Sequence, residues 1–211
     1  PPLKDKGYQF PNEYKYSELT DICMNSDIIT NHVPLEEKDY YPTVDLLNSH
    51  LIKMIKTDTL FIHASRGGIV NETSLLKRLL NKDIYAVVDV FKYEPLVNIE
   101  LVQNSILSTP HIAGYSYDGK LKGTLAMAKA FQEYSGLNPN YELLNNELSS
   151  YKPLEKEKYE DYDFLWNLLS NSRKLEEDFT TFFNSMVLDE ENRVKTFDLL
   201  RKSYPKRREV L

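Results

Sequence analysis

The sequence predicts an α/β fold with parallel strands, and three observations carry that reading. Short apolar runs stand at Leu60–Ala64, Tyr85–Val90 and Ser105–Leu107. They are rich in Val, Ile and aromatic residues and too short for helices, so they suit buried strands. Between the first two, Glu72–Leu80 places Leu75, Leu76, Leu79 and Leu80 on one helical face. That makes a β-α-β unit, whose crossover sets its strands parallel and buries both sheet faces. Each run ends in a polar cluster, marked in turn by Arg66, Glu94 and His111. Parallel strands point one way, so these ends gather along the edge where α/β sheets bind ligands. A guanidinium, a carboxylate and an imidazole converging there suit a small anionic substrate and a proton.

Taken in order, residues Pro1–Asn12 read as loop, with three prolines and one glycine. Ser17 is an expected N-cap for a helix over Ser17–Asn25, with Cys23 as a buried small hydrophobe on its apolar face. Asp27–Val33 reads as a buried strand ended by Pro34, and His32 at its end reads as a packing or hydrogen-bonding residue. Leu47, Leu51, Ile52 and Ile55 mark a helix from Asn48 to Ile55. After the strand Leu60–Ala64, the paired glycines Gly67 and Gly68 allow a sharp turn in which backbone approaches a ligand closely. Asn71 is the expected cap of the next helix. Asp89 is an acid inside an apolar strand, where an unpaired charge is costly, and is read as facing a ligand. After His111 a long helix over Asp118–Tyr134 ends at Gly136. Residues Asn138–Tyr162, with the run KPLEKEKYEDYD, read as a linker. Beyond it three helices are expected around Phe164–Leu169, Leu175–Phe183 and Phe197–Leu200. So aromatic a face on so short a segment has little to bury itself against, and pairing with a second copy is expected.

Composition narrows the function classes. The chain has 211 residues and a net charge of −6, with 27% charged and 41% hydrophobic residues, an ordinary globular balance that argues against a nucleic-acid partner. The basic run Lys202–Arg208 reads as solvated surface. One cysteine forms neither an internal disulfide nor a metal cluster. Together with the lack of a leader or any apolar run of membrane-spanning length, it points to the cytoplasm and away from a membrane. The opening on Pro1 reads as the middle of a longer protein.

HASRGGIVNE, VVDVFKYEP and TPHIAGY, in this order, resemble the nucleotide-binding half of the D-isomer-specific 2-hydroxyacid dehydrogenases. HIAGYSYDGKLKGT and the ending FDLLRKSYPKRRE are similar to a branch of that family that acts on a phosphorylated 2-hydroxy acid and carries a tail other branches lack. The resemblance implies the second half of a Rossmann-like NAD-binding domain over residues 1–137, a linker over 138–162, and a small C-terminal α+β dimerisation domain over 163–211. It implies NAD as cofactor, a small phosphorylated 2-hydroxy acid as substrate, and a homodimer. His111 matches the family's proton acceptor, Glu94 its partner, and Arg66 the residue that grips the substrate carboxylate. Val33, Ala64, Ser65, Arg66, Asp89 and Gly114 match cofactor positions, and Tyr115 a substrate-binding tyrosine. The sequence has no G-x-G-x-x-G. The alternatives are another member of the family, such as a phosphoglycerate enzyme, and an inert dimerising fragment.

Overall fold

The structure, a computed structural model, describes residues 7, 15–38, 40–150 and 161–209. The expected opening loop lies outside the described residues except at Gly7, as does the stretch 151–160 of the linker expected over 138–162. The chain divides into two compact units, Pro1–His111 with Phe179–Leu200, and Ile112–Asp178 with Arg201–Leu211.

The first unit is built on a parallel sheet, β1 Ile28–Asn31, β2 Leu60–His63, β3 Tyr85–Val88 and β4 Leu107–Ser108, in the order β1-β2-β3-β4. Helix α1 is Leu19–Asn25, and the crossovers are α2 Ser49–Met54, α3 Glu72–Leu80 and α4 Ile99–Asn104. Each crossover helix starts on an asparagine whose side chain accepts from the first-turn backbone: Asn48 from His50 and Leu51, Asn71 from Ser74, and Asn98 from Leu101. These contacts satisfy N–H groups that a helix start leaves unpaired. Helix α1 has no such cap. Glu18, not Ser17, holds its N-cap position, without a side-chain bond.

Burial alternates along the strands. Ile29, Asn31, Phe61, His63, Ala86, Val88 and Ser108 are buried, while their neighbours Ile28 and Tyr85 are 63% and 49% exposed. The expectation that both sheet faces are covered is therefore corrected. The strands follow one another in a single direction, so right-handed crossovers lay all three helices on one face.

The core on that face joins Cys23, Ile52, Leu75 and Leu101 to Phe61 and Phe91. Phe182, Met186 and Phe197 complete it, with ring centroids 6.0 Å apart for Phe91–Phe182 and 5.9 Å for Phe182–Phe197. Phe182 comes from α8 Leu175–Ser185, Phe197 from α9 Glu190–Lys202, and Met186 from the turn between them. Part of the aromatic surface expected to await a second copy is thus buried within this chain.

In the second unit, α5 Tyr117–Ser135 is capped by Ser116 Oγ, which accepts from Gly119 N at 2.9 Å, and it ends at Gly136 in the left-handed region. Helices α6 Glu142–Ser149 and α7 Tyr162–Arg173 follow. Among the described residues no strand follows Ser108. The C-terminal part is therefore helical where α+β was expected, because its apolar residues recur at three and four, as in Phe179, Phe182 and Phe183, and never alternate. No described helix is long and apolar enough to cross a membrane.

The basic tail is not the solvated surface expected from its charge. Arg207 bonds Asp178 at 2.7 Å, and Arg208 Nη2 lies 2.8 Å from Oδ1 of the fully buried Asp118. Glu209 N donates to Asp118 Oδ2 at 2.8 Å, and the Glu209 carboxylate accepts from Ser116 Oγ and Lys122 Nζ. Burial pushes the Asp118 carboxyl up, but the Glu209 N–H and the Arg208 guanidinium outweigh it and leave it below its usual range. A lowered carboxyl contributes stability that is complete above about pH 5 and fades as pH falls through the lowered value. Asp118→Asn is expected to cost about 2 kcal/mol at neutral pH and to flatten this acid limb, as read by circular dichroism during acid titration.

Candidate active site

The loops that follow β2, β3 and β4 meet at the C-terminal edge of the sheet, and backbone contact holds the first two together. A Cβ on Gly67 would sit 1.9 Å from the Phe91 carbonyl oxygen, so only glycine lets the Ser65–Gly68 turn lie against the Phe91–Lys92 backbone. Glu72, at the start of α3, adds a tie by accepting the Lys92 N–H. Burial raises its carboxyl above the usual range.

Asp89 is buried where these ends converge. Its N–H donates to His63 O at 2.9 Å, its carbonyl accepts His111 N at 2.8 Å, and its Oδ1 accepts Thr109 Oγ1 at 2.6 Å. The Asp89 carboxylate is thus bonded inside the protein and does not point to water as a strand-end acid would. The His111 backbone has φ of 56°, a left-handed conformation costly for a residue with a Cβ. It brings His111 Nδ1 to 2.7 Å from Glu94 Oε2, while Glu94 Oε1 accepts Phe91 N at 2.9 Å. Both side chains are mostly buried, 23% and 19% exposed. A carboxylate accepts only, so the bond assigns a proton to His111 Nδ1, and in the neutral imidazole Nε2 then carries the lone pair.

Arg66 is exposed at the mouth of the turn, its Nη1 donating to Ser65 O at 2.6 Å. Val33, Ala64, Ser65 and Arg66 line one cleft of about 540 Å³ together with His32, Pro34 and Leu35. His32, also in the cleft wall, has a hydroxyl partner in Thr30, in keeping with the hydrogen-bonding role expected of it. Gly114 and Tyr115 belong to the second unit. There the Tyr115 ring lies 5.8 Å from that of Tyr204, with Lys120 Nζ 4.3 Å over its face.

For NAD, the residues lining this cleft have the chemistry to take one of its flat rings. Val33, Pro34, Leu35 and Ala64 offer apolar wall to a flat ring, and Ser65 and Arg66 offer polar groups beside it. Three residues of this edge escaped the sequence reading: Asn31, His63 and Thr109. The first two are polar positions in apolar runs, the same signal that singled out Asp89.

Residues 3–113 match the family model described as the NAD binding domain of the D-isomer specific 2-hydroxyacid dehydrogenases. A protein named erythronate-4-phosphate dehydrogenase from Pseudomonas fluorescens (strain SBW25) is 35% identical over 210 residues, covering 98% of this chain and 55% of its own length. One of the same name from Wigglesworthia glossinidia brevipalpis is 33% identical over 212 residues, covering 98% and 54%. The chain spans about half the length of the curated relatives it matches. Among solved structures, an acyclic imino acid reductase in complex with NADPH and D-Arg superposes with a TM-score of 0.54 at 25% identity, covering 63% of this chain and 42% of its own.

Proposed function

Because the chain belongs to the D-isomer specific 2-hydroxyacid dehydrogenases, we propose that it carries the acid–base half of a site that oxidises 4-phospho-D-erythronate. The product is (R)-3-hydroxy-2-oxo-4-phosphooxybutanoate, and the step serves pyridoxal 5′-phosphate synthesis. The observation that supports this most is the 2.7 Å bond from His111 Nδ1 to Glu94, which leaves Nε2 ready to take a proton.

In this reading His111 Nε2 takes the proton of the C2 hydroxyl as hydride leaves C2. Glu94 fixes the tautomer and stabilises the imidazolium that forms. Arg66 binds the substrate carboxylate through its forked donors and polarises the C2 oxygen. Tyr115 contributes to the substrate pocket. Bound NAD supplies the two-electron acceptor for the hydride, with Val33, Ala64, Ser65, Arg66, Asp89 and Gly114 as the residues that hold it. The protein works in the cytoplasm as a homodimer formed through its C-terminal part, where Val187 and Leu199 stay exposed.

The test is to mix the purified chain with NAD and either 4-phospho-D-erythronate or 3-phospho-D-glycerate, follow reduced cofactor by absorbance, and measure mass on the same sample. Turnover on the first acid alone supports the reading, and preference for the second assigns another branch of the family. If the chain is folded but silent, it is fused behind the preceding half of the Pseudomonas fluorescens relative. Activity restored in that fusion supports the acid–base role, and silence there overturns the function.

A further inference from the structure

The last residues of the strands form one register row, Asn31, His63, Val88 and Ser108, whose side chains share a face of the sheet. His63 is 1% exposed in this row. Its Nδ1 lies 3.3 Å from Asn31 Nδ2 and 3.4 Å from Ser65 Oγ. An amide NH₂ donates and a hydroxyl readily does, so Nδ1 accepts, its single lone pair shared at long range. The proton then sits on Nε2, which is buried with no hydrogen-bond partner among the described residues. Burial, reinforced by His32 and opposed by Glu94, pushes the His63 pKa down to about 4, so the ring is neutral at physiological pH.

An unpaired buried N–H is destabilising, and an apolar residue would fill the space without that cost. What the imidazole contributes is connection. Asn31 Oδ1 accepts Val33 N at 3.3 Å, in the wall of the cleft. Ser65, bonded to His63 through its hydroxyl, accepts Arg66 Nη1 on its carbonyl. A continuous chain of contacts therefore runs from the end of β1 through His63 and Ser65 to the Arg66 guanidinium.

We propose that His63 is a positioning residue for Arg66, a buried neutral acceptor between Asn31 and Ser65 that holds the turn so that Arg66 is presented to an anion. The proposal rests on the reading of Arg66 as the carboxylate-binding group.

The experiment is NMR on the full chain labelled with ¹⁵N, free and titrated with oxamate, for the wild type, Ser65→Ala, His63→Leu and His63→Asn. The wild type should show His63 protonated on Nε2 only, an ordered Arg66 Nε–H, and a shift of that signal with oxamate. Ser65→Ala and His63→Leu should disorder Arg66 Nε–H and weaken oxamate binding about tenfold, and His63→Asn, which keeps an acceptor, should recover most of it. Ser65→Ala leaves the core intact, so it decides the matter if His63→Leu does not fold. An unchanged Arg66 signal in Ser65→Ala, or a loss of order spread evenly over the sheet, would overturn the proposal. A wild type blind to oxamate would defeat the anion role of Arg66, while the link from His63 would still be judged from the unliganded Arg66 signal.

Discussion

Gly67→Ala is expected to destabilise the chain by roughly 3–5 kcal/mol. The new Cβ would stand 1.9 Å from the Phe91 oxygen, 2.4 Å from its carbonyl carbon and 2.9 Å from Lys92 N. All three are backbone atoms, so no rotamer change relieves the clash, and one of the two loops has to move. Neither moves freely. Phe91 is 2% exposed, packs on Phe182, and has its N–H bonded to Glu94. The turn on the other side is tied through Ser65 to His63. Gly68 is the internal control: its φ of +89° disfavours a side chain, but an added Cβ meets nothing nearer than Leu35 Cδ1 at 3.9 Å. Gly68→Ala should therefore cost only about 1 kcal/mol. Urea unfolding followed by far-UV circular dichroism separates the two, and equal losses would mean that the close approach of the loops is not what Gly67 serves.

What the sequence revealed of this molecule follows from how local each signal is. The strand cores, the Asn71 cap and the Gly136 stop were legible because each depends on residues a few positions apart. So was the meeting of Glu94 with His111, since parallel strands bring their following loops to one edge. Helix Ile99–Asn104 was not, because its two buried residues, Leu101 and Val102, are adjacent and show no helical repeat. Helix Glu142–Ser149 was hidden by the polar composition around it. The exposed sheet face depends on strand order, which local periodicity does not encode. The clasp of Arg208 and Glu209 on Asp118 joins residues about 90 positions apart, so charge alone made the tail look solvated. For Asn31 and His63 the signal is weak, because a polar residue ending an apolar run usually marks only where the strand stops.

His111→Asn is expected to lower turnover by about 10²–10⁴-fold in whichever form of the protein proves active. Asparagine is the informative replacement because it tolerates the left-handed backbone better than alanine or a β-branched residue. The His111 N–H to Asp89 bond and the turn should therefore survive, leaving loss of the imidazole as the cause. Glu94→Gln should cost a smaller but still large factor, roughly 10²-fold, by withdrawing the charge that faces Nδ1. The double variant decides what Glu94 does. If Glu94 acts through the imidazole, removing it after His111 has gone should cost almost nothing more, because groups that work as a unit are not additive. If instead its role is to hold Phe91 N through Oε1, the two losses should multiply, and the melting temperature should fall with them.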